Sequence, residues 1–241
     1  RRQMLKRHMN HFGVWMLCGA VASPIYILCV YMAQKYLGVE PTHQAGFISA
    51  LLFLVPGFPL VTGIIDLVRH DFAGGIQRIV YVAMLVVSAG VAVWTISEVF
   101  NWSVTPQYIV ELSPIIHFAL RFFTSFVAAY GFAMLFNSPP KVCTAAALIG
   151  AAINTGRIFL AVAAVGLAAL AAGLLAAAVA NRTLFSRVTL SVPAVVIMIP
   201  GVPLYRSLTY LNNGQTMDAL AQLFTVLFTI VAIGIGLAIS R

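Results

Sequence analysis

Two apolar stretches of this chain are interrupted in nearly the same way: Leu54-Val55-Pro56-Gly57-Phe58-Pro59-Leu60 and Ile199-Pro200-Gly201-Val202-Pro203-Leu204. Proline has no backbone N–H, clashes with the preceding helical turn and pushes the residue before it out of the α region. The glycine between the prolines loosens the backbone further. A continuous helix therefore cannot run undisturbed through either stretch. The carbonyls so freed need partners, and in lipid these come from neighbouring protein or a wet cavity. Two kinked helices that shape packing and nothing else would also carry such motifs. Recurrence of the pattern with nearly the same residues favours a shared role.

The surroundings of the breaks are those of a membrane protein. Of 241 residues, 61% are apolar and 8% charged, where a soluble domain carries about 25% charged residues. The apolar residues fall into successive runs of about 20, long enough to span a hydrocarbon core. This predicts an all-α polytopic membrane protein with broken helices. The net charge of +8 does not indicate nucleic acid, because the basic residues are scattered at the ends of the apolar runs. Cys18, Cys29 and Cys143 lie within apolar segments without CxxC pairing, which indicates small core residues rather than a metal or redox site. The chain opens Arg1-Arg2-Gln3 without an initiator Met. Its first apolar run is too long for a signal peptide, so a missing natural beginning is expected.

Taken in order, the runs place spans at 12–35, 44–68, 74–99, 114–136, 142–156, 158–180, 189–211 and 217–240, eight in all. The fifth is short. The Ala/Gly-rich sixth suits close helix packing. The polar flank 1–11 contains His8 and His11 at i, i+3 spacing, either a metal pair or part of a basic flank. Asp66, Arg69, His70 and Asp71 form a polar turn, and Asp218 sits where a helix N-terminal acid is favourable. Positive-inside reasoning puts the N-terminal cluster, Arg69, Arg78, Lys141, Arg182, Arg187 and Arg241 on the cytoplasmic side. Glu40, Glu111 and the Asn212-Asn213-Gly214 turn then lie outside, and both termini are cytoplasmic. Arg157 is the exception.

Pro56 and Pro200 are 144 positions apart, and at that shift Pro59 meets Pro203, Leu60 meets Leu204, Gly90 meets Gly234 and Asn10 meets Asn154. Spans one to three map onto spans six to eight. Five spans separate a unit from its copy, so the copy has the opposite orientation. An inverted-topology repeat with broken helices is an architecture of secondary transporters, which keep their substrate site near the midplane. The full unit would have five helices, two more than precede the middle of this chain.

The segment Leu54–Leu60 with Gly63, Asp66 and Gly75-Ile76-Gln77-Arg78 resembles the first module of the bacterial threonine/serine exporter family. Tyr130–Pro139 with Leu148-Ile149-Gly150, Gly156-Arg157 and Ile199–Arg206 resembles its second module. The resemblance covers nearly the whole chain from about residue 9. It implies a first module over 1–111, lacking its N-terminal helices, and a second over 112–241. The family's hydrophilic N-terminal part is absent, and the link after Arg157 is short, so residues are expected to be missing near Leu160 to Ala164. The resemblance implies export of threonine and serine across the bacterial inner membrane; the repeat and the breaks make the exporter a secondary transporter, and protons as coupling ion in an antiporter are a further expectation, with no cofactor. Self-association into a homo-oligomer stays open. In some bacteria the two modules are separate subunits associated with succinate export, so a C4-dicarboxylate is the alternative substrate.

Candidate substrate-binding residues follow from the breaks. The half-helix after each offers N–H groups and a positive dipole end, and the half before it offers carbonyls. These place Pro56, Gly57, Pro59, Pro200, Gly201 and Pro203 at the site. Thr62 and Tyr205 lie within a turn or so and would bind a hydroxylated side chain, or make ordinary helix hydrogen bonds. Arg121, inside a span, and Arg206, six residues past a break, are candidate carboxylate partners or snorkelling cations. Asp66 is the acid for proton coupling, or else caps the turn with Arg69. His70 and His117 are candidate pH-sensitive groups by residue type, or serve structure alone. The two breaks are expected to face each other and line one cavity. There is no HExxH or GxSxG and no pair of intramembrane acids for an enzyme, and no P-loop for a primary pump. No ring of charges marks a channel. A non-transporting membrane scaffold remains as the competing class.

Overall fold

Most of the described helices start where the sequence supplies a start signal. A computed structural model of the chain describes residues 4, 9–38, 47, 54, 56–100, 113–157 and 164–240. Helix α1 (His11–Leu37) is capped by Asn10, whose side chain accepts the Phe12 N–H at 2.9 Å, and stops at Gly38 with φ of +63°. Helix α2 (Gly57–Val68) follows the first break and is joined by a tight turn to α3 (Phe72–Val99), where the Asp71 carboxylate accepts the Gly74 N–H. Helices α4 (Pro114–Leu135) and α5 (Pro140–Gly156) both carry proline at the first helical position, where no intrahelical N–H is lost. Helix α6 (Ala164–Asn181) leads through a turn to α7 (Arg187–Val196), capped by Ser186. After the second break come α8 (Gly201–Asn212) and α9 (Thr216–Ile239), with Asp218 in the first turn of α9.

Length and composition make α1, α3, α4, α6 and α9 long and apolar enough to cross a membrane, and α7 with α8, bent by 47° across the second break, would make a sixth segment. The sequence reading expected eight. The difference lies in two places. The first half of the second span, 44–55, falls largely outside the described residues, leaving the twelve-residue α2. The fifth span is the 17-residue α5, about 25 Å long at 1.5 Å per residue, at the lower limit of the length that spans a hydrocarbon core. The long helices are apolar on both faces. On α1, Val14, Trp15, Gly19, Ile27 and Val30 are buried, while Leu17, Val21, Ile25 and Leu28 are exposed. An outer face of that kind suits hydrocarbon, not water. The chain is an all-α polytopic membrane protein.

The described contacts divide into two compact units, each assembled from both halves of the sequence. The first comprises residues 1–56, 80–110 and 201–224. Its core joins Val14 and Trp15 of α1 to Leu85 and Ala89 of α3, with a second cluster of Ile27, Phe47 and Val93 that Tyr205 of α8 packs against. Within it, Gly90 of α3 lies so close to Leu208 of α8 that a Cβ would overlap Leu208 Cδ1.

The second unit comprises 57–79, 111–200 and 225–241. Its core joins α2, α5, α6, α7 and α9 through Val61, Ile65, Val142, Ala169, Leu190, Val195 and Ile233. There Gly234 of α9 lies against Ile64 of α2, and a Cβ would overlap Ile64 Cγ2. Positions 90 and 234 are 144 apart, as are 64 and 208. The two close contacts thus correspond with the partners exchanged.

Candidate functional site

The Pro-Gly-x-Pro motifs prove to be helix starts. Gly57 and Gly201 are the first residues of α2 and α8, both buried. Pro56 and Pro200 stand just outside the helices, and Pro59 and Pro203 occupy first turns, where a missing N–H costs nothing. Before the second break, α7 tightens: Met198 N–H donates to the Val195 carbonyl at 2.9 Å and Ile199 N–H to the Val196 carbonyl at 3.1 Å. Before the first break, the Leu54 carbonyl accepts the indole N–H of Trp15 at 2.7 Å in the first unit. An uninterrupted helix would have given that carbonyl the Phe58 N–H; another span's side chain takes its place, as apolar surroundings demand.

In the second unit the start of α2 meets the end of α7. A Cβ on Gly57 would lie 2.9 Å from Ile199 Cδ1 and 2.9 Å from Val196 Cγ1. Glycine lets the positive end of α2 pack directly on the Val196 and Ile199 side chains at the tightened end of α7. Phe58 packs edge-on against Phe136 with ring centroids 5.2 Å apart. One turn on, the Thr62 hydroxyl lies 3.0 Å from the Phe58 carbonyl and 3.2 Å from that of Pro59. Its proton is directed to its own helix, leaving the oxygen as an acceptor.

Asp66 ends up with a partner the sequence reading did not name. Arg78 Nη1 lies 2.7 Å from Asp66 Oδ2, with the two side chains 52% and 19% exposed. That oxygen makes no aligned hydrogen bond, so the contact is an ion pair held by distance rather than a fork. Arg69 supplies only its backbone N–H, donating to the Asp66 carbonyl at 3.0 Å. The approach is set by glycines. A Cβ on Gly63 would lie 3.3 Å from the Gly75 carbonyl, and one on Gly75 2.8 Å from the Gly63 carbonyl, so α2 and α3 cross backbone to backbone.

The other candidates belong to different surroundings. Gly201, Pro203, Tyr205 and Arg206 lie in the first unit, with Pro56, whereas Gly57, Pro59, Thr62, Asp66, Arg121 and Pro200 lie in the second. Tyr205 packs edge-on against Phe47, with ring centroids 6.1 Å apart, and its hydroxyl is within hydrogen-bonding reach of Ser97 and Thr209. Arg206 is half-buried, and the ion pair found among the described residues does not involve it. His11 hydrogen-bonds Tyr81, while His8 lies outside the described residues. No group of three or more His, Cys, Asp or Glu placed for a metal occurs among the described residues.

Arg121 stands in a polar region on α4 and α5 that no motif announces. Ser125, one turn after Arg121, is buried and accepts the Asn154 side-chain N–H at 2.8 Å. Arg157, one turn after Asn154, is near enough to Arg121 to feel its charge. Asn154 Oδ1 and Thr155 Oγ1 are buried without hydrogen-bond partners among the described residues. The signal available in the sequence was Arg157 itself, on the wrong side for the charge rule. Its partners come from another helix and could not be paired by inspection.

Comparison with known families agrees with this architecture at both ends. Residues 121–241 match the family described as "Threonine/Serine exporter, ThrE", and residues 1–100 match that described as "Putative threonine/serine exporter". No curated protein and no solved structure matches the chain. With two consecutive family matches on a polytopic helical chain, the protein belongs to the threonine/serine exporter family, whose members are membrane transporters and not enzymes.

Proposed function

We propose that this transporter exports small polar amino acids, threonine and serine, across the bacterial inner membrane, with proton movement coupled through Asp66. The observation that carries the reading is the approach of Gly57 to Val196 and Ile199. It brings the N-terminal end of α2, which leaves N–H groups over, against side chains at the C-terminal end of α7, which leaves carbonyls over. A zwitterion needs both: donors for its carboxylate, acceptors for its ammonium. Thr62 adds a hydroxyl oxygen one turn away. Asp66, a further turn along the same helix, is paired with a half-exposed arginine, a partner that a proton on the carboxylate would release.

An inverted repeat supports the transporter class. Shifted by 144 positions, residues 1–56 of the first unit become 145–200 of the second, and 57–79 of the second become 201–223 of the first. The exchanged contacts Gly90–Leu208 and Gly234–Ile64 obey the same shift. Both termini are cytoplasmic in this reading, as the basic flanks require. The test is flux in proteoliposomes: threonine and serine against succinate, with and without a pH gradient. Gradient-stimulated threonine and serine efflux supports the proposal. Succinate flux alone would select the dicarboxylate reading, and no flux of any of the three the scaffold.

A further inference from the structure

The polar region between α4 and α5 is the least expected feature of the molecule. The two helices form an antiparallel hairpin whose register is fixed by two contacts. A Cβ on Gly150 would lie 3.1 Å from Ala129 Cβ, and Asn154 bonds Ser125 at 2.8 Å. Ala129 to Ser125 is one turn back along α4, and Gly150 to Asn154 one turn forward along α5. The next turn in the same directions reaches Arg121 and Arg157. The register therefore brings the two residues to the same end of the seam, where the charge of Arg121 acts on Arg157. The seam thus passes from Ala/Gly contact, through an Asn–Ser hydrogen bond, to two guanidiniums.

Nothing structural accounts for that end. Two like charges at one end of a seam repel, more so away from bulk water. No acid among the described residues is paired with either arginine. Arg121 is seven residues past Pro114, about 10 Å along the helix, where a free charge is costly. Charge-rule topology does not account for Arg157, which falls opposite the other basic residues. Proximity to the C-terminus of α5 favours Arg157 but does nothing for Arg121. Asn154 Oδ1, buried and without a partner among the described residues, adds an acceptor one turn below. A pair of planar donors with a neighbouring buried acceptor is complementary to a carboxylate carrying an ammonium nearby. The same face of α5 touches α7 at Ala194, whose carbonyl lies 3.1 Å from the Gly150 Cβ position, two residues before α7 ends.

We propose that Arg121 and Arg157, with Ser125 and Asn154, form a second solute site, separate from the helix break, which takes the carboxylate of a transported amino acid between the guanidiniums and its ammonium on Asn154. It rests on the exporter reading and adds to it a station at the mouth of the α4–α5 hairpin. Guanidiniums select for the carboxylate, and the Asn154 carbonyl favours an amino acid over a dicarboxylate.

The test uses the full chain in phosphatidylcholine vesicles, with and without phosphatidylglycerol. Arg121→Gln and Arg157→Gln should each weaken half-saturation by threonine about tenfold to a hundredfold, the worth of one charge-assisted hydrogen bond, with maximal flux changed far less. The corresponding lysine variants should recover part of the loss. Asn154→Leu should weaken threonine and leave any succinate flux unchanged. Because these variants could fail to fold, the unmodified protein supplies a second measurement. Phenylglyoxal labelling of Arg157, read by peptide mass spectrometry, should be slowed by threonine and not by threonine amide, which lacks the carboxylate. Normal half-saturation in both glutamine variants, or labelling indifferent to threonine, would overturn the site while leaving wild-type threonine flux, and so the exporter reading, intact. A defect that appears only with phosphatidylglycerol would overturn it in favour of a lipid phosphate. Absence of wild-type flux would overturn both.

Discussion

Substituting Gly234 with alanine tests whether the exchanged glycine contacts are real and unequal. A Cβ on Gly234 would overlap Ile64 Cγ2 and sit 2.9 Å from Ile64 Cβ. The obstacle is the stem of a β-branched side chain, stiff at χ1. At Gly90 the obstacle is Leu208 Cδ1, with Leu208 Cγ 3.8 Å away, the far end of a flexible side chain. Overpacking costs about 1–3 kcal/mol, and alanine returns about 1 kcal/mol of helix propensity over glycine. Where a leucine tip can turn aside for about 0.5–1.5 kcal/mol, Gly90→Ala should come out near neutral. Gly234→Ala should lose about 1–2 kcal/mol, the upper part of the overpacking range less the propensity gain. For a chain of this size that is a fall in Tm of about 2–8 °C, measured by thermal unfolding in detergent. Gly131, with no neighbour within 4 Å of a Cβ, is the control: Gly131→Ala should melt no lower than wild type. Ile64→Leu, which removes the Cγ2 branch at nearly constant volume, should restore Gly234→Ala, with a coupling of about 0.5–3 kcal/mol. If Gly234→Ala melts as high as Gly90→Ala, or shows no coupling to Ile64→Leu, the packing argument is wrong.

Three further outcomes are expected. Gly57→Leu places a side chain where Val196 and Ile199 already sit 2.9 Å from a Cβ; transport in vesicles should be abolished, with about 1–3 kcal/mol lost from stability, and normal flux would remove the helix break from the pathway. Asp66→Asn should reduce gradient-driven export while threonine exchange largely continues; unchanged gradient-driven export at equal expression would leave Asp66 as the ion-pair partner of Arg78 alone. Cysteines placed at Leu5 and Phe185 should be protected from an impermeant thiol reagent outside the cell, and one at Asn213 labelled; the reverse pattern would invert the topology.

Much of the helix layout could be read in advance because its signals are local. Asn10, Pro114, Pro140, Ser186 and Asp218 each stand at a helix start, and apolar run length reports bilayer thickness. The breaks were visible too, since proline and glycine act on their own backbone. What escaped reading was tertiary. Asp66 chose Arg78 over Arg69 because α2 and α3 cross at Gly63 and Gly75, which turns a residue twelve positions away into a neighbour. The direction of each side chain around that crossing is not written in the spacing. Ser125 and Asn154, 29 residues apart, met through an antiparallel register that depends on Ala129 fitting Gly150. Thr62 illustrates the converse: a hydroxyl close to a break pointed to a ligand, whereas its nearest acceptors are its own helix carbonyls.

The exchange of segments between the two compact units has a consequence for how the chain is made. The first unit needs residues 201–224, and α2 of the second packs on α7, which ends at Val196. A ribosome adding about 5–20 residues per second takes about 7–30 s to travel from Gly57 to Gly201. Throughout that interval α2 has entered the bilayer without the surface it belongs to, and neither unit has all its parts. Closure is therefore an event of late synthesis, and the stretch around Pro56 must wait as an incompletely partnered segment. A cut between α3 and α4 would leave two fragments, each owning pieces of both units, so neither could become compact until they met and traded helices.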